Sequence, residues 1–231
     1  MRISVVIPAY NAADTIKETL ESVFSQTRLA DEIVVVDDGS TDDTADAVRA
    51  DFPGIKLVQT RNRGAAAALN QGISDCEGDL ITFLDADDLW APGKLEVQEA
   101  AFANNHAAHL VMGHYEAFIC PSLDPARAAR LQFANGLQPG YLIGCMMIRK
   151  DFLEGCRQWF EQDLRTGYHV DWLRRLRSHG VSELMLPDLV MRRRIRANTL
   201  GRRSGLASDT LTRDFLEIAR RALAEKRLQK K

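Results

Sequence analysis

Three apolar runs in the first ninety residues each end in a polar turn, the last of them strongly acidic, and few folds accommodate that pattern. Residues 3–8 run into Ala9-Tyr10-Asn11, residues 32–37 into Asp38-Gly39-Ser40-Thr41, and residues 80–84 into Asp85-Ala86-Asp87-Asp88. Ile33, Val34, Val35 and Val36 follow one another without a polar interruption, as in a strand covered on both faces. Segments 14–26, 41–50, 64–74 and 92–104 carry helical features. Ile16, Leu20, Val23 and Phe24 recur at helical spacing, Thr41 can cap, and Pro92 suits a first turn. A short strand is expected over 56–59. The alternation predicts an α/β fold with a doubly wound, mostly parallel sheet. Ligands of such sheets lie beyond the carboxyl ends of the strands, so the three polar ends should meet on one rim.

The third end is chemically the most specific. Three carboxylates within four residues repel one another and are costly to desolvate. A cation relieves both penalties, and hard oxygen donors without Cys or a neighbouring His suit Mg²⁺ or Mn²⁺ better than Zn²⁺. An ion held by one or two carboxylates takes its other ligands from phosphates. The alternative is a solvated turn in which Asp88 caps the next helix.

Composition narrows the class. The 231 residues, 45% of them hydrophobic, suit one large soluble domain or one domain with a sizeable appendage. No run approaches the ~18–20 apolar residues of a membrane span. The chain opens on a strand pattern rather than a secretion signal, so a cytoplasmic location is expected, with at most peripheral contact at the inner face of the membrane. Cys76, Cys120, Cys145 and Cys156 have neither zinc nor CxxC spacing and are expected as free thiols. Residues 1–115 carry 8 Lys/Arg against 19 Asp/Glu, and residues 116–231 carry 22 against 13. Such polarity can focus a field between the halves, with a cation on the acidic side and phosphates facing the basic side. Nucleic acid is disfavoured as a partner at pI ≈ 6.2 without interleaved aromatics.

The second half is less regular. Strands are expected over 110–119, 141–149, 181–186 and 189–195, and helices over 126–131, 168–179 and 209–228. The last helix carries Leu211, Phe215, Ile218, Leu223 and Leu228 on one stripe. Neither GxGxxG nor GxxxxGK[ST] is present, so no glycine-rich turn cradles phosphate.

The motifs VVIPAYN (5–11), VVDDGSTD (35–42), NRGAAAALNQGI (62–73) and FLDADD (83–88) occur in an order and spacing that closely resemble the family 2 glycosyltransferases, whose fold is termed glycosyltransferase type A. The resemblance is strong over 1–115 and weaker over 140–200. It implies a nucleotide-sugar-binding half, 1–115, and an acceptor-binding half, 116–231, in one continuous catalytic domain. It also implies an inverting, metal-dependent transfer from a nucleotide sugar, UDP-sugar favoured, to an acceptor that is a glycan, lipid-linked sugar, peptide or small molecule. Pro8, Ala9 and Tyr10 would line the base pocket, and Asp38 would accept from the base. Asn62 would face the ribose or phosphates, Asp85 would contact ribose, and Asp87 would bind Mn²⁺ or Mg²⁺. Absence of a Gln-x-x-Arg-Trp motif favours single-sugar transfer.

Two departures stand out. Relatives carry Gly-Glu-Asp-x-Asp at the helix that supplies the base; here Gly167-Tyr168-His169-Val170-Asp171 occupies that place. His169 and Asp171 are the candidates for the base, or neither serves. Tyr168 reads as packing. Where relatives place a His after a strand, this chain has Arg196, in a run with Arg192, Arg193, Arg194, Arg202 and Arg203. Arg194 and Arg196 are assigned to the diphosphate. Trp159, Trp172 and the loop 121–139 are acceptor candidates. The competing reading is a catalytically silent nucleotide-sugar-binding module.

Overall fold

A computed structural model describes residues 1–130, 134, 136–157, 159–196 and 206–228, with side chains of the last helix from 212 to 225. Leu131, Arg202 and Arg203 lie outside the described residues, as do the side chains of Leu211 and Leu228. The elements in order are β1 (Ile3–Ala9), α1 (Ile16–Phe24), β2 (Glu32–Asp37), α2 (Thr44–Asp51), β3 (Lys56–Gln59), α3 (Ala65–Asp75), β4 (Leu80–Phe83), β5 (Leu89–Trp90) and α4 (Lys94–Asn104). They continue with β6 (Leu110–Ile119), α5 (Pro125–Ala128), β7 (Gln138–Pro139), a 3-10 turn (Ile143–Cys145), β8 (Met146–Arg149), α6 (Lys150–Cys156), α7 (Tyr168–Ser178), β9 (Glu183–Ile195) and α8 (Leu206–Leu228).

The strands form one sheet in the order β3-β2-β1-β4-β8-β6-β9-β5, with β7 on β6. β1, β2, β3 and β4 are mutually parallel. β8 runs against both β4 and β6, and β6 is parallel to β9. The carboxyl ends of β1, β2, β4, β6 and β9 therefore share one rim. The sheet is continuous across residue 115.

Alternation along each strand divides the core between two faces. Ile3, Val5 and Ile7 of β1, Val35 of β2 and Leu80 of β4 pack with Ile16, Leu20, Val48, Leu95 and Phe102 of α1, α2 and α4. Val6, Val34, Val36, Ile81 and Phe83 pack on the other face with Leu69 and Ile73 of α3, Leu153 of α6, and Trp172 and Leu176 of α7. α3 approaches most closely: a Cβ on Gly72 would lie 2.3 Å from a methyl of Val6. The run of Ala66, Ala67 and Ala68 serves the same close approach.

Beneath the rim, Lys94 is wholly buried and, among the described residues, has no carboxylate partner. Its ammonium donates to Thr82 Oγ1 at 2.8 Å and Gln98 Oε1 at 2.5 Å, and lies 4.4 Å from the Trp90 ring. Burial lowers its pKa to about 7. Gln98 and Trp90 donate in turn to the carbonyls of Cys145 and Gly144, which ties α4 and β5 to the turn before β8.

The second half differs from the sequence expectation in several places. The strands expected over 181–186 and 189–195 are one strand, β9. Its pairing with β6 shifts register between Met112 and Tyr115, and Pro187 falls in that irregular stretch, where it forfeits no ladder bond. The strand expected over 141–149 is a 3-10 turn and a four-residue strand. α6 and the two-residue strands β5 and β7 were not expected. Of these, β5 bears most directly on the rim, because Leu89 pairs with Arg192 and sets the acidic turn beside the arginines of β9. None of the four cysteines is in a disulfide, and all but Cys156 are buried.

Candidate active site

The turns after β1 and β2 lock together. Asn11, at φ 49°, accepts from Thr41 N–H at 2.8 Å, and its own N–H donates to Ser40 Oγ at 2.9 Å. This brings buried Pro8 and Ala9 and the half-exposed Tyr10 beside residues 38–41. Asp38 is buried, accepting from Thr60 Oγ1 (3.2 Å) and from the backbone N–H groups of Arg63 (2.9 Å) and Gly64 (2.7 Å). It therefore organises the loop that carries Asn62. A carboxylate has about four acceptor positions, so one remains open. Gly39, at φ +75°, is required here: a Cβ would lie 2.8 Å from the Asn62 nitrogen.

The turn after β4 is held from below by α1. Thr15 Oγ1 donates to the Ala86 carbonyl at 2.9 Å, and Thr19 Oγ1 lies 3.0 Å from the carbonyls of both Ala86 and Asp88. The three carboxylates diverge. Asp88 is buried and accepts from the Arg194 N–H at 2.7 Å, so it fastens β9 rather than capping a helix. Asp85 and Asp87 remain at the rim. Burial and the Asp87 charge raise Asp85 to about 6. Burial also raises Asp87, against the opposing pull of Arg196, Arg194 and Arg193, and raises Asp88 well above the carboxylate range. Two hard-oxygen donors that resist ionising together fit a divalent cation. Among the described residues no three His, Cys, Asp or Glu side chains are arranged to hold an ion alone. The donors present suit an ion completed by phosphate.

α7 points its first turn at this pair. Gly167, at φ +68°, turns the chain into the helix. Tyr168 packs edge-on against Phe160 at 5.9 Å, and burial with the charges of Asp85 and Asp87 raises its pKa. His169 lies against the Tyr168 ring at 5.6 Å, and burial with the Arg193 charge lowers its pKa to about 4. It is neutral through the physiological range. Asp171 is fully buried, its oxygens paired with Arg174 at 2.9 Å and Arg175 at 2.7 Å. Trp172 is likewise buried, stacked on Phe160 at 4.6 Å, which removes it from the acceptor candidates.

Strand parity sorts the arginines. Arg192 and Arg194 share a face over Phe118, at 5.2 and 4.8 Å from its ring. Arg194 is buried, its guanidinium donating to the Asp87 carbonyl at 2.8 Å and to Glu18 Oε2 at 2.6 Å. The diphosphate assignment of Arg194 is thereby corrected: its side chain is 3% exposed and is committed to the acidic turn and to Glu18. Arg193, on the opposite face, is the residue whose charge reaches Asp85, Asp87 and His169. Arg196, just past the strand, lies 3.8 Å from Asp87.

A family model described as glycosyl transferase family 2 matches residues 4–175, most of the chain. The chain belongs to glycosyl transferase family 2. Among its relatives in this family, the Escherichia coli UDP-Glc:alpha-D-GlcNAc-diphosphoundecaprenol beta-1,3-glucosyltransferase WfgD is 36% identical over 64% of this chain and 60% of its own. An uncharacterised glycosyltransferase of Nostoc is 42% identical over 42% of this chain, but only 31% of its own. The matched part thus spans from under a third to about three fifths of these relatives. Solved structures share the fold. S. aureus TarS in complex with UDP superposes with a TM-score of 0.67 at 22% identity, covering 85% of this chain and 61% of that one. Mannosyltransferase PcManGT from Pyrobaculum calidifontis, in complex with GDP-Man and Mn²⁺, gives 0.62 at 26% identity over 85% and 58%. The family 2 type A fold is thus present over most of the described chain.

Proposed function

We propose that this chain transfers a single sugar from a UDP-sugar to an acceptor hydroxyl, with inversion at the anomeric carbon. The observation that carries the reading is the convergence of Asp85 and Asp87, the first turn of α7, and Arg193 and Arg196 on one rim of the sheet. Pro8, Ala9 and Tyr10 flank the base, Asp38 accepts from it, Asn62 meets the ribose or phosphates, and Asp85 meets the ribose. Asp87, with Asp85 beside it, would hold Mn²⁺ or Mg²⁺, which supplies positive charge to the departing diphosphate. Arg193 and Arg196 add charge-assisted donors to the same oxygens. His169 takes the acceptor proton, and Asp171 positions α7 through its two arginines. The names of WfgD and WfaP, both UDP-Glc transferases acting on a diphosphoundecaprenol-linked GlcNAc, support a UDP-sugar donor and a lipid-linked sugar acceptor. Among the described residues no helix is long and apolar enough to cross a membrane. The enzyme would meet that acceptor from the cytoplasmic side as a peripheral protein.

The deciding experiment is diphosphate release from a panel of nucleotide sugars with Mn²⁺ or Mg²⁺ and a lipid-linked sugar acceptor. UDP-Glc is expected to turn over. Binding of UDP without turnover on any donor would favour the silent binding module, a reading that the low basicity of His169 supports.

The arginines give a sharper expectation. Arg193→Ala and Arg196→Ala should each weaken UDP roughly ten- to hundredfold, the range for a hydrogen bond to a charged group, while leaving uridine nearly unaffected. Arg194→Ala should instead lower the melting temperature, since it strands the Asp87 carbonyl. Calorimetry with UDP and uridine separates the cases; equal losses for both ligands would remove Arg193 and Arg196 from the diphosphate.

A further inference from the structure

We propose that the cleft between α3 and residues 159–163 is a second binding site, off the donor rim, for a neutral sugar ring. The cleft has a volume of about 790 Å³, within the range of ligand sites. On the rim side it begins at Gln162, whose Oε1 accepts from Arg63 at 2.8 Å. It continues past Asn70 and Ser74, four residues apart on one face of α3. At ~1.5 Å per residue these lie roughly 9 and 15 Å along α3 from Gly64, which Asp38 holds at the rim. The cleft therefore runs away from the donor site along the flank of the helix.

Its aromatic wall is fixed in advance. The Asn70 amide makes two hydrogen bonds to the Phe160 backbone, at 2.8 and 2.9 Å, and Arg175 donates to the Trp159 carbonyl at 2.5 Å. Two helices thus pin a pair of residues that belong to neither helix nor strand. Phe160 turns inward and stacks on Trp172, and its neighbour Trp159 is left half-buried at the cleft. The Trp159 indole N–H is neither buried nor, among the described residues, hydrogen-bonded.

An indole held this way offers an apolar face and one donor. The C–H face of a pyranose stacks on the first, and a ring hydroxyl accepts from the second. The charges lining the cleft favour a neutral ligand. Arg157 and Arg175 are balanced by Glu161 and Asp163. Arg175 and Asp163 are committed to Asp171 and Arg221. The side chains of Arg157 and Glu161 have no partner among the described residues. One guanidinium, one carboxylate and the Ser74 hydroxyl are thus left to donate and accept, and sugar hydroxyls do both. A net charge on the ligand would meet repulsion to match its attraction. This site does not depend on the reaction proposed for the rim.

The test is titration of the full chain with methyl β-D-glucoside, methyl α-D-mannoside and N-acetylglucosamine, followed at the three tryptophan indole N–H resonances. The Trp159 signal, assigned by its loss in Trp159→Phe, should shift saturably with at least one sugar, at roughly millimolar affinity for so small a ligand. The other two should stay in place, because Trp90 and Trp172 are 3% and 0% exposed. Trp159→Ala should weaken binding roughly tenfold or more, read at the Asn70 amide. Arg157→Ala and Glu161→Ala leave no partner stranded, and each should weaken it about two- to tenfold, the worth of one net hydrogen bond. UDP calorimetry on all three alanine variants should match wild type, which separates failure of the cleft from failure of the donor site. No Trp159 shift with any of the sugars overturns the proposal, as does unchanged affinity in both Arg157→Ala and Glu161→Ala. So does an equal Trp159 shift with uridine, which would mark a general aromatic-stacking surface.

Discussion

Replacing Asp87 with alanine should remove the metal dependence of UDP binding altogether. In the wild type, Mn²⁺ should tighten UDP, because an ion held by Asp87 would supply positive charge to the diphosphate. With Asp87 gone, calorimetry should return the same weak affinity with and without Mn²⁺. Asp88, the next residue, should behave oppositely. Its carboxylate accepts from the buried Arg194 N–H, so Asp88→Ala leaves that donor unpaired at a cost of about 1–3 kcal/mol. The melting temperature should fall while the response to Mn²⁺ persists. Asp38→Ala should weaken UDP through the loop it braces, again with the metal response intact. Retained Mn²⁺ enhancement in Asp87→Ala would sink the proposed metal ligand.

The contrast between neighbouring aspartates shows what the sequence held and what it did not. Three of the four strands of the first half were legible because buried parallel strands are nearly uniformly apolar, the short edge strand β3 showed only Leu57 and Val58, and the helices between them keep a 3.6 period. The rim followed from topology alone, since every parallel strand ends on the same side. Which of the three clustered carboxylates faces outward was not legible. That depends on β5, two residues long, whose pairing with β9 is a tertiary event with no local signature. The arginines fail for a related reason. Strand parity is normally read from alternating polarity, and Arg192-Arg193-Arg194 has none. Phe118 and Glu18, remote in sequence, capture Arg194 and leave Arg193 on the opposite face. Asp171 was more tractable, because arginines three and four residues later on a helix are natural ion-pair partners.

His169→Ala should lower turnover roughly 10²–10⁴-fold, the range for losing a general base, while UDP affinity stays nearly unchanged. The pH profile carries the more specific expectation. An unperturbed histidine would make kcat/KM rise with pH near ~6.5. Burial and Arg193 lower His169 to about 4, so its neutral, proton-accepting form already dominates above that value. The His169 limb of kcat/KM should therefore be flat at neutral pH and fall only as pH drops toward about 4. The kcat profile, which reports the substrate complex, should titrate higher, because a diphosphate drawn to Arg193 cancels part of the charge that depresses His169. A base that becomes stronger when the donor is bound would explain how a weakly basic histidine serves where relatives carry a carboxylate. Arg193→Ala should raise the kcat/KM limb toward the ordinary histidine range, a shift that lost phosphate binding alone does not produce. Asp171→Asn should act elsewhere. Its two ion pairs are buried on the aspartate side, so melting temperature should fall more than kcat. An inactive, normally folded Asp171→Asn beside a near-wild-type His169→Ala would reverse the assignment and make Asp171 the base.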